Sequence, residues 1–145
     1  MHETELQRLA DERAVIDVTV AYTWALDGKD FEALRDVFLP DATAELGRHL
    51  EGIDAIIERI AGALGPLDDS QHLIGNHQVR LDGDQATCRC YLQAQHVRAA
   101  AEGGPNFIIA GRYEDRLRRT PAGWRIAHRS LIPMWRDGNP AVPVG

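Results

Sequence analysis

The sequence predicts an α+β domain in which about three helices pack against one face of a strongly curved antiparallel sheet. Apolar residues recur at helical spacing in the first part of the chain, whereas from residue 71 onward they alternate with a period of two. Tight turns such as Asp82-Gly83-Asp84 separate the later segments, which indicates long strands joined as hairpins. Helices followed by such strands are typical of the α+β class.

Residues 4–26 predict a long amphipathic first helix. Thr4 and Gln7 form a capping-box start. The apolar residues that recur at helical spacing after it are Leu6, Leu9, Ile16, Val20 and Trp24.

Asp27, at the end of this helix, is the first candidate functional residue. At about 100° per residue it falls between Ile16 and Val20, on the predicted apolar stripe. A carboxylate there loses water and lies at the negative end of the helix dipole, so it needs a hydrogen-bond donor from across the interior. The alternative is that Asp27 only caps the turn at Gly28.

Two shorter helices are predicted next. Asp30 caps a helix that runs through Phe31 to Phe38 and ends before Pro40. A regular apolar stripe predicts the other helix over residues 53–64, and Gly65-Pro66 ends it.

The strands are predicted from alternating segments. The segment 47–52 is a connection and 67–70 a loop. The predicted strands are residues 42–46, 71–81, 85–98, 106–119 and 124–135.

Length and composition indicate one globular domain. The chain has 145 residues, of which 44% are hydrophobic and 26% charged. We assign residues 1–136 to the domain and expect residues 137–145 to form a flexible tail. The net charge of -6 argues against a nucleic-acid or anionic-membrane partner. With no apolar run long enough for a membrane span and no signal peptide, we expect a cytoplasmic protein.

The cysteines and histidines suggest no metal site. Cys88 and Cys90 lie two apart on a predicted strand, fit no zinc pattern and are badly spaced for a mutual disulfide. We interpret them as small core residues. The six histidines include no HExxH spacing.

Two histidines are the candidate bases of a pocket between helices and sheet. His72 shares a strand face with Asn76, and His96 follows Ala94 on the apolar face of the next strand. Neighbouring antiparallel strands would bring both rings to one pocket. Histidine transfers protons near pH 7, and a buried carboxylate such as Asp27 would orient its ring. The alternative is that each histidine is a core or rim residue.

Other side chains are candidates to line this pocket. On an ideal helix Tyr22 lies about 140° from Asp27, so both reach one pocket only if the helix end distorts; otherwise the tyrosine packs sideways. Arg129 falls on the face opposite Trp124 unless a bulge intervenes, and is either a pocket cation or an interface residue. The candidate substrate-contacting residues are Trp24, Asn76, Phe107, Ile109 and Trp135.

Seven short motifs follow one another along the chain, and together they resemble a known family. They are Tyr22-x4-Asp27-Gly28-Lys29-Asp30, Leu34-x2-Val37-Phe38-x2-Asp41-Ala42, Gly52-x3-Ile56, His72-x3-Asn76, Asp82-Gly83-Asp84-x-Ala86, Gly111-Arg112-Tyr113-x-Asp115 and Gly123-Trp124-Arg125-Ile126-x2-Arg129. This ordered set resembles the SnoaL-like, scytalone dehydratase-like branch of the nuclear transport factor 2-like superfamily. The match runs from about residue 8 to residue 136.

The resemblance implies a cone-shaped α+β barrel that needs no cofactor and assembles as a dimer or trimer. Members include scytalone dehydratase, bile acid 7α-dehydratase, hexachlorocyclohexane dehydrochlorinase and polyketide cyclases. In the eliminating enzymes an aspartate and a histidine form a dyad, and Asp27 and His72 match those positions. Tyr22 matches a substrate-facing polar residue, Arg129 a pocket arginine and His96 the second histidine of scytalone dehydratase. The second pocket tyrosine of that enzyme has no clear counterpart.

The resemblance therefore favours a cofactor-independent lyase that removes a proton from a small hydrophobic or cyclic substrate through the Asp27-His72 dyad. One alternative is an isomerase or cyclase that uses the same base. Another is a non-catalytic ligand-binding or subunit-association domain. We also expect a homo-oligomer, because such long strands have a second face that needs cover; Tyr91 and Val97 lie on that face.

Overall fold

The computed structural model describes residues 4–144, and within them three helices pack on one six-stranded sheet. The helices are α1 (Glu5–Asp27), a 3-10 helix (Phe31–Asp36) and α2 (Ile53–Leu64). The strands are β1 (Phe38–Glu45), β2 (His49–Glu51), β3 (Asp69–Asp82), β4 (Gln85–Val97), β5 (Asn106–Thr120) and β6 (Gly123–Gly138). The predicted α+β class is confirmed. Two local predictions were wrong. The residues of β2 were expected to belong to a connection. Asp30 was expected to cap the second helix, but its side chain forms no capping hydrogen bond.

The sheet is mixed and open rather than wholly antiparallel or closed. Its strands lie in the order β2-β1-β6-β5-β4-β3. Four neighbouring pairs are antiparallel, and three of them are the predicted hairpins of the long strands, whereas β1 runs parallel to β6. The first and last strands are not joined by a hairpin, so no turn dictates their direction. The helices cover one face of this sheet, and the core lies between.

The buried face of α1 differs from the predicted stripe. Leu6, Leu9 and Trp24 are exposed, and Trp24 is 75% accessible. The side chains that α1 buries are Asp11, Val15, Thr19, Tyr22, Thr23, Ala25 and Leu26. The prediction failed because it counted only apolar residues, whereas this face includes polar residues with specific partners.

Two of those polar residues show how the buried face of α1 is stabilised. Asp11 accepts two hydrogen bonds from Arg119, both at 2.8 Å. The Thr19 hydroxyl lies 2.6 Å from the carbonyl oxygen of Ile16 and 2.9 Å from His77 Nε2. A buried polar group that keeps a hydrogen-bond partner costs the folded state little stability. Asp11 and Thr19 can therefore occupy buried positions on α1 that an apolar stripe would otherwise fill.

Strand irregularities reassign three predicted positions. In β3 the pairing with β4 shifts at Asn76, whose φ is 58°, so Asn76 turns outward and His77 takes the inner face. In β6 a shift at Met134 turns Trp135 outward and Arg136 inward. A second shift in β6 brings Arg129 onto the inner face. A one-residue shift reverses which face a side chain occupies. The predictions of Asn76 and Trp135 as pocket residues are therefore wrong.

The C-terminal segment, expected to be a loose tail, packs against the domain. β6 continues to Gly138, and Val142 is completely buried. Arg98 donates a hydrogen bond from Nε to the Val142 carbonyl oxygen at 3.0 Å and another to the Ala141 carbonyl oxygen at 2.5 Å. No helix within residues 4–144 is both long and apolar enough to cross a bilayer.

Candidate active site

The end of α1 and the start of β3 bring Asp27 and His72 into contact. His72 Nδ1 lies 2.6 Å from Asp27 Oδ1. The backbone N–H of His72 donates to Asp27 Oδ2 at 2.8 Å, and the Ser70 hydroxyl donates to Oδ1 at 3.0 Å. Asp27 is thus more than a turn cap, because donors from the facing strand surround its carboxylate. Ser70 and His72 share the inner face of β3, since they are two residues apart.

These contacts favour the ionised form of Asp27. Burial by itself would raise the pKa of Asp27, but the hydrogen bonds from the His72 ring, the His72 backbone and Ser70 lower it below its ordinary value. The carboxylate is therefore ionised near pH 7 and accepts the proton on His72 Nδ1. In the neutral tautomer that donates from Nδ1, Nε2 is the unprotonated nitrogen, on the ring edge that points away from Asp27.

A cavity of about 280 Å³ lies between the helices and the sheet, and His72 forms part of its wall. Tyr22, His96, Phe107 and Ile109 also line it, as the sequence predicted. The lining residues that the sequence analysis did not assign to it are Leu26, Leu46, Arg59, Ile60, Ala63, Leu64, Tyr113, Leu131, Arg136 and Pro143. Most of this wall is apolar, which suits a small hydrophobic ligand.

His96 is the second imidazole of the cavity. Its ring centroid lies 6.2 Å from that of His72 and 5.9 Å from that of Phe107. Burial lowers the pKa of His96, an effect that the carbonyl of Ala94 opposes and the neighbouring His72 reinforces. The neutral ring donates from Nδ1 to that carbonyl oxygen at 3.0 Å. Its Nε2 is thus a hydrogen-bond acceptor.

Tyr22 reaches the cavity without any distortion of α1. The predicted angle between Tyr22 and Asp27 presents no conflict, because Asp27 lies behind His72 and is not part of the cavity wall. Burial raises the pKa of Tyr22, and Arg129 only partly opposes this, so the phenol keeps its proton. Burial also raises the pKa of Tyr113 well above its ordinary value. Both tyrosines are therefore protonated at neutral pH.

Arg129 lies behind these tyrosines and outside the cavity lining. It is completely buried, and it donates from Nε and Nη2 to Asp115 at 2.7 and 2.8 Å. Its guanidinium carbon lies 4.2 Å from the ring centroid of Tyr22 and 3.8 Å from that of Tyr113. The arginine is therefore a buried support of the cavity wall, rather than an open pocket cation.

Trp24 is the third predicted substrate-contacting residue that the structure places elsewhere. It lies two residues, or about 200°, from Tyr22 on α1, so it faces the other way. It lines an open groove beside Asp27 and Leu73 on the outside of the protein. Trp24 is therefore remote from the cavity wall.

The potential metal ligands within the described residues 4–144 form no cluster. Within residues 4–144 no group of three or more histidine, cysteine, aspartate or glutamate side chains has the geometry to hold a metal ion. Both cysteines are buried and unpaired. Burial raises the pKa of the Cys88 thiol to about 12 and that of Cys90 to about 11, so neither is a ready nucleophile.

The acid stability of the protein tests the Asp27 contacts. Because the pKa of Asp27 is lower in the folded chain than its unfolded value of about 3.9, the unfolded state binds more protons between the two values. The free energy of unfolding should therefore decrease as the pH falls below about 4. In Asp27→Asn the decrease should be shallower in urea titrations at a series of pH values. Asp69→Asn, at an exposed aspartate, is the control. Equal slopes for Asp27→Asn and the wild type would contradict the assignment.

Comparison with known proteins places this geometry in a family. Residues 7–130 match the SnoaL-like domain family. An uncharacterized protein of Mycobacterium tuberculosis is 34% identical over 126 residues, which cover 83% of this chain and 84% of the relative.

Solved structures share the fold across nearly the whole chain. A candidate aromatic ring hydroxylase from Novosphingobium aromaticivorans is 28% identical, with a TM-score of 0.81 and coverage of 90% of this chain and 94% of the other. A candidate scytalone dehydratase from the same organism is 23% identical, with a TM-score of 0.81 and coverage of 90% and 88%. A hexachlorocyclohexane dehydrochlorinase, LinA type 2, is 16% identical, with a TM-score of 0.83 and coverage of 98% and 94%. The chain belongs to the SnoaL-like domain family and has the nuclear transport factor 2-like fold.

Proposed function

We propose that this protein is a cofactor-independent lyase that eliminates water or halide from a small, largely hydrophobic substrate. The observation that carries the proposal is the 2.6 Å contact between His72 Nδ1 and Asp27 Oδ1 at the wall of an apolar cavity. This contact leaves His72 Nε2 as an oriented base, which a purely ligand-binding domain would not need. The candidate scytalone dehydratase and LinA, named for such eliminations, share the fold and add support.

The proposed reaction begins when His72 Nε2 takes a proton from a carbon next to an electron-withdrawing group such as a carbonyl. The C–H electron pair forms the new C=C bond, and the leaving group departs from the adjacent carbon with its bonding pair. The ionised Asp27 stabilises the imidazolium that forms. A leaving hydroxide receives the proton from Nε2 and departs as water. A halide departs without a proton, and the imidazolium then releases its proton to solvent water. Either way, His72 finally returns to its neutral form.

The two remaining polar groups of the cavity would bind the substrate. Tyr22 keeps its proton and would donate a hydrogen bond to the carbonyl oxygen as negative charge develops there. His96, whose Nδ1 is bound to Ala94, would accept a hydrogen bond at Nε2 from the substrate hydroxyl. The apolar wall would exclude water and hold the hydrocarbon body.

The test uses the neutral ketol 4-hydroxy-4-phenylbutan-2-one and its 4-chloro analogue in D₂O. Binding is first established from shifts of the His72 and His96 imidazole resonances. We expect the conjugated enone 4-phenylbut-3-en-2-one to accumulate with the wild type and not with His72→Ala. Deuterium incorporation at C3 without loss of the leaving group would instead indicate an isomerase or cyclase. A compound that binds and shows neither change would support the non-catalytic alternative, and failure of both compounds to bind would contradict a cavity for small hydrophobic carbonyl compounds.

A further inference from the structure

The C-terminal strap (residues 139–144) forms part of the rim of the cavity that contains His72 and His96. Pro143 lines this cavity. Among the described lining residues only Arg136 and Pro143 are exposed, and both lie at the C-terminal end of the chain. The strap therefore lies at the opening through which a ligand would reach the two imidazoles.

Side chains rather than a strand ladder hold the strap against the domain. β6 and its pairing with β5 end at Gly138. Within the described part of the chain, only Arg98 forms hydrogen bonds from outside the strap to its last five residues. Its Nε donates to the Val142 carbonyl oxygen and its Nη2 to that of Ala141. The completely buried side chain of Val142 is the apolar anchor of the strap.

The loop between β4 and β5 supplies the other side of this contact. Arg98 is the first residue of the loop, and the Asn139 side chain donates from Nδ2 to two of its carbonyl oxygens, at 2.9 and 2.7 Å. His96 and Phe107, which line the cavity, lie on the strands that flank the loop. The strap and the loop thus meet beside the end of the cavity that His96 and Phe107 form.

Opening of the strap would break few interactions. Rotation about Asn139 would withdraw Val142 and Pro143 from the domain and break the two hydrogen bonds of Arg98, while the helices and strands kept theirs. Segments with so few buried contacts open locally, at a lower free energy than global unfolding. Opening would also remove Pro143 from the cavity wall and so widen its mouth.

We propose that the strap is the gate of the cavity and that Arg98 is the positioning residue that keeps it closed. In the open state a ligand enters or leaves past the displaced Pro143. In the closed state Pro143 contacts the ligand, and the cavity is shielded from bulk water while His72 removes the proton. The inference rests on the proposed function only for this last step, since a gate controls the passage of any ligand that the cavity binds.

The first test measures how fast 4-phenylbutan-2-one, which is the test ketol without its hydroxyl group, enters and leaves the cavity. Association and dissociation rate constants come from the line shapes of the His96 imidazole resonances during a titration. Arg98→Met removes both donors, so the open state is more populated and both rate constants should rise at least about tenfold. The dissociation constant should change less than about threefold, because the same contact is lost with and without ligand. Arg118→Met, at an exposed arginine at the far end of β5, should leave both rates unchanged.

The second test follows the opening itself by amide hydrogen exchange and needs no ligand. The Val142 N–H donates to the Asn139 carbonyl oxygen at 3.1 Å within the strap, whereas the Ile126 N–H donates to the Val37 carbonyl oxygen at 2.8 Å in the core. If the strap opens separately, Val142 should exchange before Ile126. Arg98→Met should then accelerate the exchange of Val142 more than that of Ile126.

The two tests together decide the inference separately from the proposed function. Unchanged ketone rates in a folded Arg98→Met variant would overturn the gate, and so would exchange of Val142 only together with Ile126. If Arg98→Met fails to fold, Val142→Ala weakens the apolar anchor instead and should raise both rate constants; unchanged rates would again overturn the gate. If the ketone does not bind, the exchange comparison alone decides. Faster passage of the ketone in Arg98→Met without conversion of the ketols would support the gate and contradict only the lyase proposal.

Discussion

Replacing either member of the Asp27-His72 pair should lower kcat by at least about 100-fold, on the scale of a lost general base. His72→Ala removes the base itself. Asp27→Asn keeps the size of the side chain and changes its hydrogen bonding, so it tests the carboxylate alone. If the two residues act as a unit, the double variant should be scarcely slower than either single variant.

The asparagine is expected to fail because Asp27 accepts three hydrogen bonds on its two oxygens. An amide nitrogen at the position of Oδ2 would face the backbone N–H of His72, donor against donor. At the position of Oδ1 it would face Nδ1, which must then lose its proton to accept. The ring proton would move to Nε2, and the base would be lost.

Kinetics with a ketol that the wild type converts provide the measurement. Circular dichroism confirms that each variant is folded. Asp69→Asn makes the same chemical change at an exposed aspartate at the start of β3 and should retain normal turnover. Ser70→Ala removes one donor but leaves the carboxylate, so its loss should be smaller than that of Asp27→Asn. Near-normal turnover in a folded Asp27→Asn variant would contradict this prediction and would show that the role of Asp27 is only structural.

The sequence predicts the elements well because local patterns determine them. The helix predicted over residues 53–64 has the observed bounds of α2, and the four long strands begin and end within a few residues of prediction. The parallel pairing of β1 with β6 could not be predicted in this way, since it joins segments from opposite ends of the chain. Local periodicity contains no information about such partners.

The prediction of which strand side chains face the cavity agrees with the structure where the strands are regular and disagrees where the pairing shifts. His72 and His96 were assigned by simple alternation and do line one cavity. Asn76 and Trp135 were assigned by the same rule across positions where the pairing shifts, so each exchanges its face with a neighbour. An asparagine is one of the few residues that readily adopt a positive φ, and together with the preceding Gly75 it is a local sign of the shift at Asn76.

The cavity arginines could not be found from periodicity at all. Arg59 interrupts no apolar stripe, and on a helix an arginine beside such a stripe is ordinarily solvent-exposed. Arg136 lies two residues beyond the shift at Met134 and was predicted to be outside the last strand. Both assignments depend on how distant segments close around the cavity.

Arg129→Met should lower the free energy of unfolding by about 3–5 kcal/mol, because it leaves a buried charge without its partner. Arg129 and Asp115 are both completely inaccessible at their side chains. Burial by itself would lower the pKa of Arg129, but Asp115 raises it above its ordinary value, so the guanidinium stays charged. Removing the cation would leave the Asp115 carboxylate in a space closed to water.

Arg129→Lys should not restore full stability, since an ammonium cannot form both of the observed hydrogen bonds or stack as a plane on the tyrosines.

The double variant Arg129→Met/Asp115→Leu tests whether the fold requires the ion pair itself, or whether stability is lost only when one of the two charges is left unpaired. Replacing both charges by apolar side chains of similar size should recover most of the lost stability, as measured by urea unfolding. Its turnover then tests the function of Arg129. If Arg129 only supports Tyr22 and Tyr113, with ring distances of 4.2 and 3.8 Å, the folded double variant should retain kcat within about tenfold. Loss of activity comparable to that of His72→Ala, in a folded double variant, would instead show that the buried positive charge itself acts on the reaction.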